Sequence, residues 1–216
     1  MQNAVPASVP LGADPPVAHR VASRTLARRT EAYADEVRRL VDAGYAVMRR
    51  TGTLDPRVTD IVREARLSNQ AFYRHFRGKD ELLVAILDDG RRQLLEYLEH
   101  RMARAEPGAA RVRAWVGGVM EQARNPAAAD NTRPFAINNA RLADRFPAEV
   151  ARSEELLVVP LRDAVADAGG DPRRDADVIY HLTIGCMNDA LVARRRPTKR
   201  DVEHLEQFVL GGLRGT

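Results

Sequence analysis

Residues 58–83 read VTDIVREARLSNQAFYRHFRGKDELL, and the spacing of their apolar positions decides the fold. Ile61, Val62 and Ala65 make the inner face of a first short helix. A tight turn over about 65–68 carries Leu67, which plugs the gap between two helices. Ser68 is an N-cap residue type, and it opens a second short helix whose Phe72 and Phe76, four apart, point inward. Two short helices joined this way form a helix-turn-helix, with a second helix shaped to enter a DNA major groove. The outward residues fit that task. Asn69, Gln70 and Ala71 lie in its first turn, where base edges are read: the amides grip adenine through two hydrogen bonds and the alanine meets a thymine methyl. Arg74 reaches guanine or a phosphate, while Tyr73 and His75 suit phosphate oxygens, which position a protein without reading sequence. Lys79 starts the next helix, where free N–H groups and the dipole already favour an anion. A generic helix hairpin would not require Tyr73, His75 and Lys79 to be polar and outward.

The charge agrees. The chain has 216 residues and a formal charge of +4, and residues 1–80 carry 14 lysines and arginines against nine acids, while the rest balance at 20 against 21. A basic segment ahead of a neutral body points to an anion-binding module joined to something else. Only Lys79 and Lys199 are lysines. Arginine suits bidentate phosphate and guanine contacts, and codon usage explains such a bias equally well.

Outward from this stretch, the pattern stays helical. Upstream, Leu40, Val41, Gly44, Tyr45 and Met48 form one amphipathic stripe of a helix beginning near Thr30. Asp55-Pro56 looks like an N-cap followed by a first-turn proline. Pro6, Pro10, Pro15 and Pro16 break up the first residues, so 1–29 reads as a disordered basic tail. Arg24, Arg28 and Arg29 there read either as an arm reaching a minor groove or as solvated charges. Downstream, a long helix starts near Lys79 with Leu83, Leu87, Leu94, Leu98 and Met102 on one side. Further helices are expected at about 109–124, 134–145, 148–168, 174–195 and 199–212. No alternating β-branched run is bounded by turns, so the fold class is all-α, with about nine helices.

At these residues the sequence resembles the TetR (tetracycline-repressor-like) family of bacterial regulators. Asp60-Ile61-Val62, Ala65-Arg66-Leu67-Ser68, Phe72-Tyr73-Arg74-His75-Phe76, Lys79 and Leu82 keep the register of its three-helix DNA-binding motif. The resemblance covers roughly 34–87. It implies a helix-turn-helix domain over 30–78 and a helical effector-binding and dimerisation domain over 79–216. Three departures stand out: Arg66 replaces a turn glycine, Gly78 replaces a serine cap, and Arg57 stands where a threonine often contacts phosphate and does that work as a longer cation.

The resemblance further implies a cavity between the middle helices for a small-molecule effector, with Trp115, Met120, Phe135, Asn138, Asn139, Met187 and Asn188 as candidate lining. Core filling explains the apolar members equally well. It also implies a homodimer through the last two helices, which carry Val178, Ile179, Leu182, Leu191, Val202, Leu205, Phe208 and Val209. The expected protein is a transcriptional regulator, most simply a repressor, on double-stranded DNA with a near-palindromic operator. The competing reading is a DNA-architectural protein without an effector, which would have a filled second domain.

Other classes find no support in the residues. No Ser/His/Asp order, Gly-rich phosphate loop or carboxylate pair marks an enzyme. His100, His181 and His204 lack metal-ligand spacing, so no metal and no cofactor is expected. Cys186, the single cysteine, reads as a core thiol in a reducing, cytoplasmic setting. Ser153-Glu154-Glu155 and Asn188-Asp189 read as caps and solvated turns. No stretch is long and apolar enough to span a bilayer, and the N-terminus lacks a secretory signal.

Overall fold

The computed structural model describes residues 16–53 and 55–213, which hold nine α-helices and no strand. They are α1 (Val17–Thr51), α2 (Val58–Ala65), α3 (Asn69–His75), α4 (Lys79–Met102), α5 (Ala109–Arg124), α6 (Pro126–Arg145), α7 (Pro147–Asp167), α8 (Arg174–Val192) and α9 (Lys199–Leu213). The chain divides into two units, before and after Arg38/Arg39.

The first unit corrects the expected tail. Pro16 is the last proline before α1, and from Val17 onward the helix is unbroken. Residues 17–35 are all exposed. Their Ala, Arg and Glu residues are good helix formers, and the Thr25 and Thr30 hydroxyls donate to the carbonyls four residues back. Arg24, Arg28 and Arg29 therefore stand on a helix, not on a flexible arm. The part of the tail before residue 16 lies outside the described residues.

Within the second unit, Leu40, Val47 and Met48 of α1, Ile61 and Val62 of α2 and Phe72 of α3 are all buried. Two arginines of α1 tie α2 in place. The Arg39 guanidinium donates to the carbonyls of Ala65 and Arg66, and Arg50 pairs with Glu64 at 2.6 Å. Gly44 lets α1 approach α4: a Cβ there would strike the Ile86 side chain. Beyond Leu94 a second core forms around Trp115, Val116 and Val119 of α5, which packs against α4, α6, α7, α8 and α9.

Three boundaries differ from expectation. Asn125 caps α6 by accepting from the Ala127 and Ala128 amides, and Pro126 opens the helix. So α6 starts eight residues earlier than expected and carries Pro134 inside it. Asp55 does not cap α2, whose N-cap position is Arg57. At the end of α8, Arg194 turns left-handed (φ 51°), stopping the helix at Val192.

Candidate nucleic-acid interface and ligand cavity

The α3 helix is short and held from one side. The Ser68 hydroxyl accepts from the Ala71 amide at 3.1 Å, closing its first turn. Phe72 and Phe76 are buried with their rings 5.7 Å apart. Burying such a side chain stabilises by roughly 1.5–3 kcal/mol, so these rings fix which face turns out. That outer face holds Asn69, Gln70, Tyr73 and Arg74, all exposed. The Tyr73 ring lies edge-on to Phe72 at 5.2 Å while staying 61% exposed, so its hydroxyl end is held toward solvent on a packed base.

Two flanking features set the angle of α3. Arg66 adopts the left-handed conformation (φ 54°, ψ 43°), and the Leu67 amide donates back to the Val62 carbonyl at 2.9 Å, closing the turn normally closed by glycine. On the other side, Arg77-Gly78 leads into α4. The Arg77 amide donates to Glu81 at 2.5 Å, so a first-turn carboxylate ties down the chain entering α4, whose N-cap Gly78 has no side chain to cap it. Lys79 forms an ion pair with Asp55, which holds that carboxyl below its ordinary value. Next to it the Asp80 carboxylate, 12% exposed, is gripped by Arg141 (3.5 Å) and Arg145 of α6.

Between α1, α4, α6, α7 and α8 lies a cavity of about 770 Å³. Its walls mix rings and polar groups: Tyr45, Phe135 and Tyr180 beside Arg91, Asn139 and Glu154. Arg91 is 12% exposed and joins three helices, donating to the Val150 carbonyl (3.0 Å), Ser153 Oγ (2.5 Å), Asn139 Oδ1 (3.5 Å) and Glu154 (3.1 Å). The Tyr45 hydroxyl donates to the Ile86 carbonyl at 3.0 Å. Burial pushes the Tyr45 and Tyr180 phenols well above their ordinary range, with the carboxylates of Asp89 and Glu154 adding to it respectively. Both are neutral groups at any physiological pH.

Residues 40–86, spanning the packed half of α1 through the first two turns of α4, match the family model of bacterial regulatory proteins, tetR family. The likeness to that family lies in this helix-turn-helix segment. The HTH-type transcriptional regulator SrpR of Pseudomonas putida is 41% identical over 63 residues, which is 29% of this chain and 30% of that relative. Whole-chain likeness is confined to fold. The fatty acid degradation regulator FadR of Bacillus halodurans superposes with a TM-score of 0.62 at 17% identity, over 83% of this chain and 96% of its own. FadR of Bacillus subtilis, solved with stearoyl-CoA, gives 0.56 at 17%, over 81% and 96%.

The geometry of α1–α4 and of the cavity sorts the sequence-derived candidates. Asn69, Gln70, Tyr73, Arg74 and Arg57 lie on exposed surface, and His75 is half-buried. Ala71 does not face out: it is 6% exposed, packed inward with Phe72, so it has no methyl to offer a thymine. The Ser68 hydroxyl is taken up by its cap, and the Lys79 ammonium by Asp55. Of the cavity candidates, Phe135, Asn139, Met187 and Asn188 line the wall. Three do not. Trp115 is fully buried in the core, donating its indole N–H to the Leu157 carbonyl at 3.1 Å, and Met120 packs in the same core. Asn138 donates to the Pro134 carbonyl at 2.8 Å, within its own helix.

Sequence reasoning missed Arg91, Tyr45 and Tyr180 as lining, and it read Ser153 and Glu154 as solvated. Ser153 is 2% exposed and Glu154 faces Arg91. The available signal was charge on an apolar face: Arg91 falls in the α4 stripe between Leu87 and Leu94. Cys186 is half-buried at the edge of the core, not inside it. Among the described residues no cluster has metal-ligand geometry, and no helix is long and apolar enough to cross a membrane.

Proposed function

We propose that the protein is a sequence-specific DNA-binding transcriptional regulator, a repressor that a small molecule releases from a near-palindromic operator. The observation that carries this reading is the outer face of α3. In a TetR-family head, two amides at its exposed first turn stand on a helix fixed by two buried phenyl rings. Asn69 and Gln70 read base edges, and Tyr73, Arg74, His75 and Arg57 take phosphates. The head spans about 30–78 and acts in the cytoplasm, where the DNA is. The body, about 79–216, binds effector and partner and performs no catalytic step.

A homodimer through α8 and α9 supplies the second head. Val178, Val192 and Phe208 are 66%, 54% and 67% exposed there, apolar surface that a second copy would cover. Twofold symmetry then sets two α3 helices in successive major grooves, about 34–36 Å apart. A ligand that favours another spacing shifts the population away from DNA. The route runs along α6: Phe135 and Asn139 line the cavity, and Arg141 and Arg145 hold Asp80 in the first turn of α4, directly after α3. The cavity also favours this reading over an architectural DNA protein, for which a filled body was expected.

The test is an electrophoretic mobility shift on the promoter beside the protein's own gene, with a salt titration. Selective retardation of that fragment is expected. Retardation that is equally weak on every sequence defeats the regulator reading.

A further inference from the structure

We propose that the cavity takes an uncharged, hydrogen-bonding aromatic molecule, and neither a carboxylate nor a fatty acyl thioester of coenzyme A. This rests on the reading of the cavity as the effector site and names what that site accepts.

Charge comes first. The wall holds two arginines and two aspartate or glutamate side chains: Arg49 and Asp42 on exposed turns of α1, and Arg91 and Glu154 inside. The inner guanidinium already faces four protein acceptors, Glu154 among them. An anion entering beside Arg91 finds that guanidinium already matched, which leaves only Arg49 on the exposed turn of α1. To bind there it would have to draw Arg91, itself 12% exposed, away from Glu154 and leave two like charges side by side. The several phosphate charges of a coenzyme A ester meet the same obstacle.

Hydrogen-bonding capacity comes second. The Tyr180 hydroxyl and the Asn188 amide both line the cavity, and neither makes a hydrogen bond among the described residues. Tyr180 offers a neutral donor, because burial and Glu154 hold its proton on. Asn188 offers both donor and acceptor. An aliphatic tail would desolvate these groups without pairing them. Rings complete the site: Tyr45 and Phe135 meet edge-on at 5.9 Å, a geometry that presents an aromatic face and edge to a flat guest.

A matched pair of probes tests this by titration calorimetry on the full chain at pH 7. Methyl 4-hydroxycinnamate is neutral, and 4-hydroxycinnamate differs from it only in its carboxylate. The ester is expected to bind at least tenfold more tightly than the acid, with stearoyl-CoA weaker than both. Tyr180→Phe should weaken the ester at least fivefold at unchanged melting temperature. Should that variant fail to fold, Asn188→Ala carries the same expectation. Equal or tighter binding of the acid or of stearoyl-CoA, or no heat from the ester, overturns the proposal. Operator retardation is measured on the same preparation without any probe. If retardation is intact and the probe order is wrong, only the ligand class fails; if retardation is lost, the regulator reading fails instead.

Discussion

Single residues on α3 divide the work of recognition, and their substitutions separate it. Gln70 offers a bidentate amide to a base edge, whereas Tyr73 offers one hydroxyl to a phosphate. Gln70→Ala should therefore relax preference at one base pair, costing about 1–3 kcal/mol there, with other positions unchanged. Tyr73→Phe should weaken every sequence about equally. Binding measured across a set of single-base operator variants distinguishes the two patterns; a uniform loss for Gln70→Ala would remove it from base reading. At the junction with α4, Lys79 lowers the Asp55 carboxyl, first through their hydrogen bond and then through charge. A depressed carboxyl stabilises the fold above the ordinary aspartate value of 3.8, and that contribution fades as pH falls through the lower folded value. Lys79→Met should bring Asp55 back up toward 3.8 in a carbon-detected carboxyl titration. The neutral-pH cost is under about 1 kcal/mol, because exposed pairs contribute little.

Elements add what no single residue fixes. The helix-turn-helix was legible because every local signal agreed: the apolar spacing of Ile61, Val62, Phe72 and Phe76, the Ser68 cap and the turn. Arg66 was readable as a strained glycine substitute, and its φ of 54° is the conformation that glycine adopts freely. Arg66→Gly should stabilise the protein by about 1 kcal/mol, raising Tm by roughly 2–4 °C for a chain of this length. A fall in Tm would mean that the arginine side chain contributes more than its backbone costs. What stayed illegible has a common cause. Whether Arg91, Glu154 or Tyr180 meets a partner depends on three helices far apart in sequence, and a periodicity carries no information about that pairing. The same holds for Trp115, whose apolar face suits a core and a cavity wall equally. Helix start signals misled once: Pro134 looked like a first turn, but the Asn125-Pro126 cap had already opened α6.

At the scale of the whole molecule, the terminal helices divide their apolar residues between two tasks. Ile179, Leu191, Val202, Leu205 and Val209 are buried in the protomer's own core, so only part of the expected stripe is left to meet a partner. What remains outward is Val178 and Val192 on α8 and Phe208 on α9. Gly211 and Gly212 on α9 have open space where a Cβ would stand, which leaves room for another backbone to come close. Phe208→Glu places a charge in the middle of such an interface while removing nothing from the protomer core, since the side chain is 67% exposed. An exposed substitution of this kind changes protomer stability by about 0.5 kcal/mol or less. The variant should elute as a monomer in light-scattering chromatography and keep its helical circular dichroism. It should also lose most operator affinity, because one head contacts one half-site and the gain from linking two is gone. A Phe208→Glu protein that remains dimeric at micromolar concentration would move the interface elsewhere, and with it the spacing of the two α3 helices on which operator recognition depends.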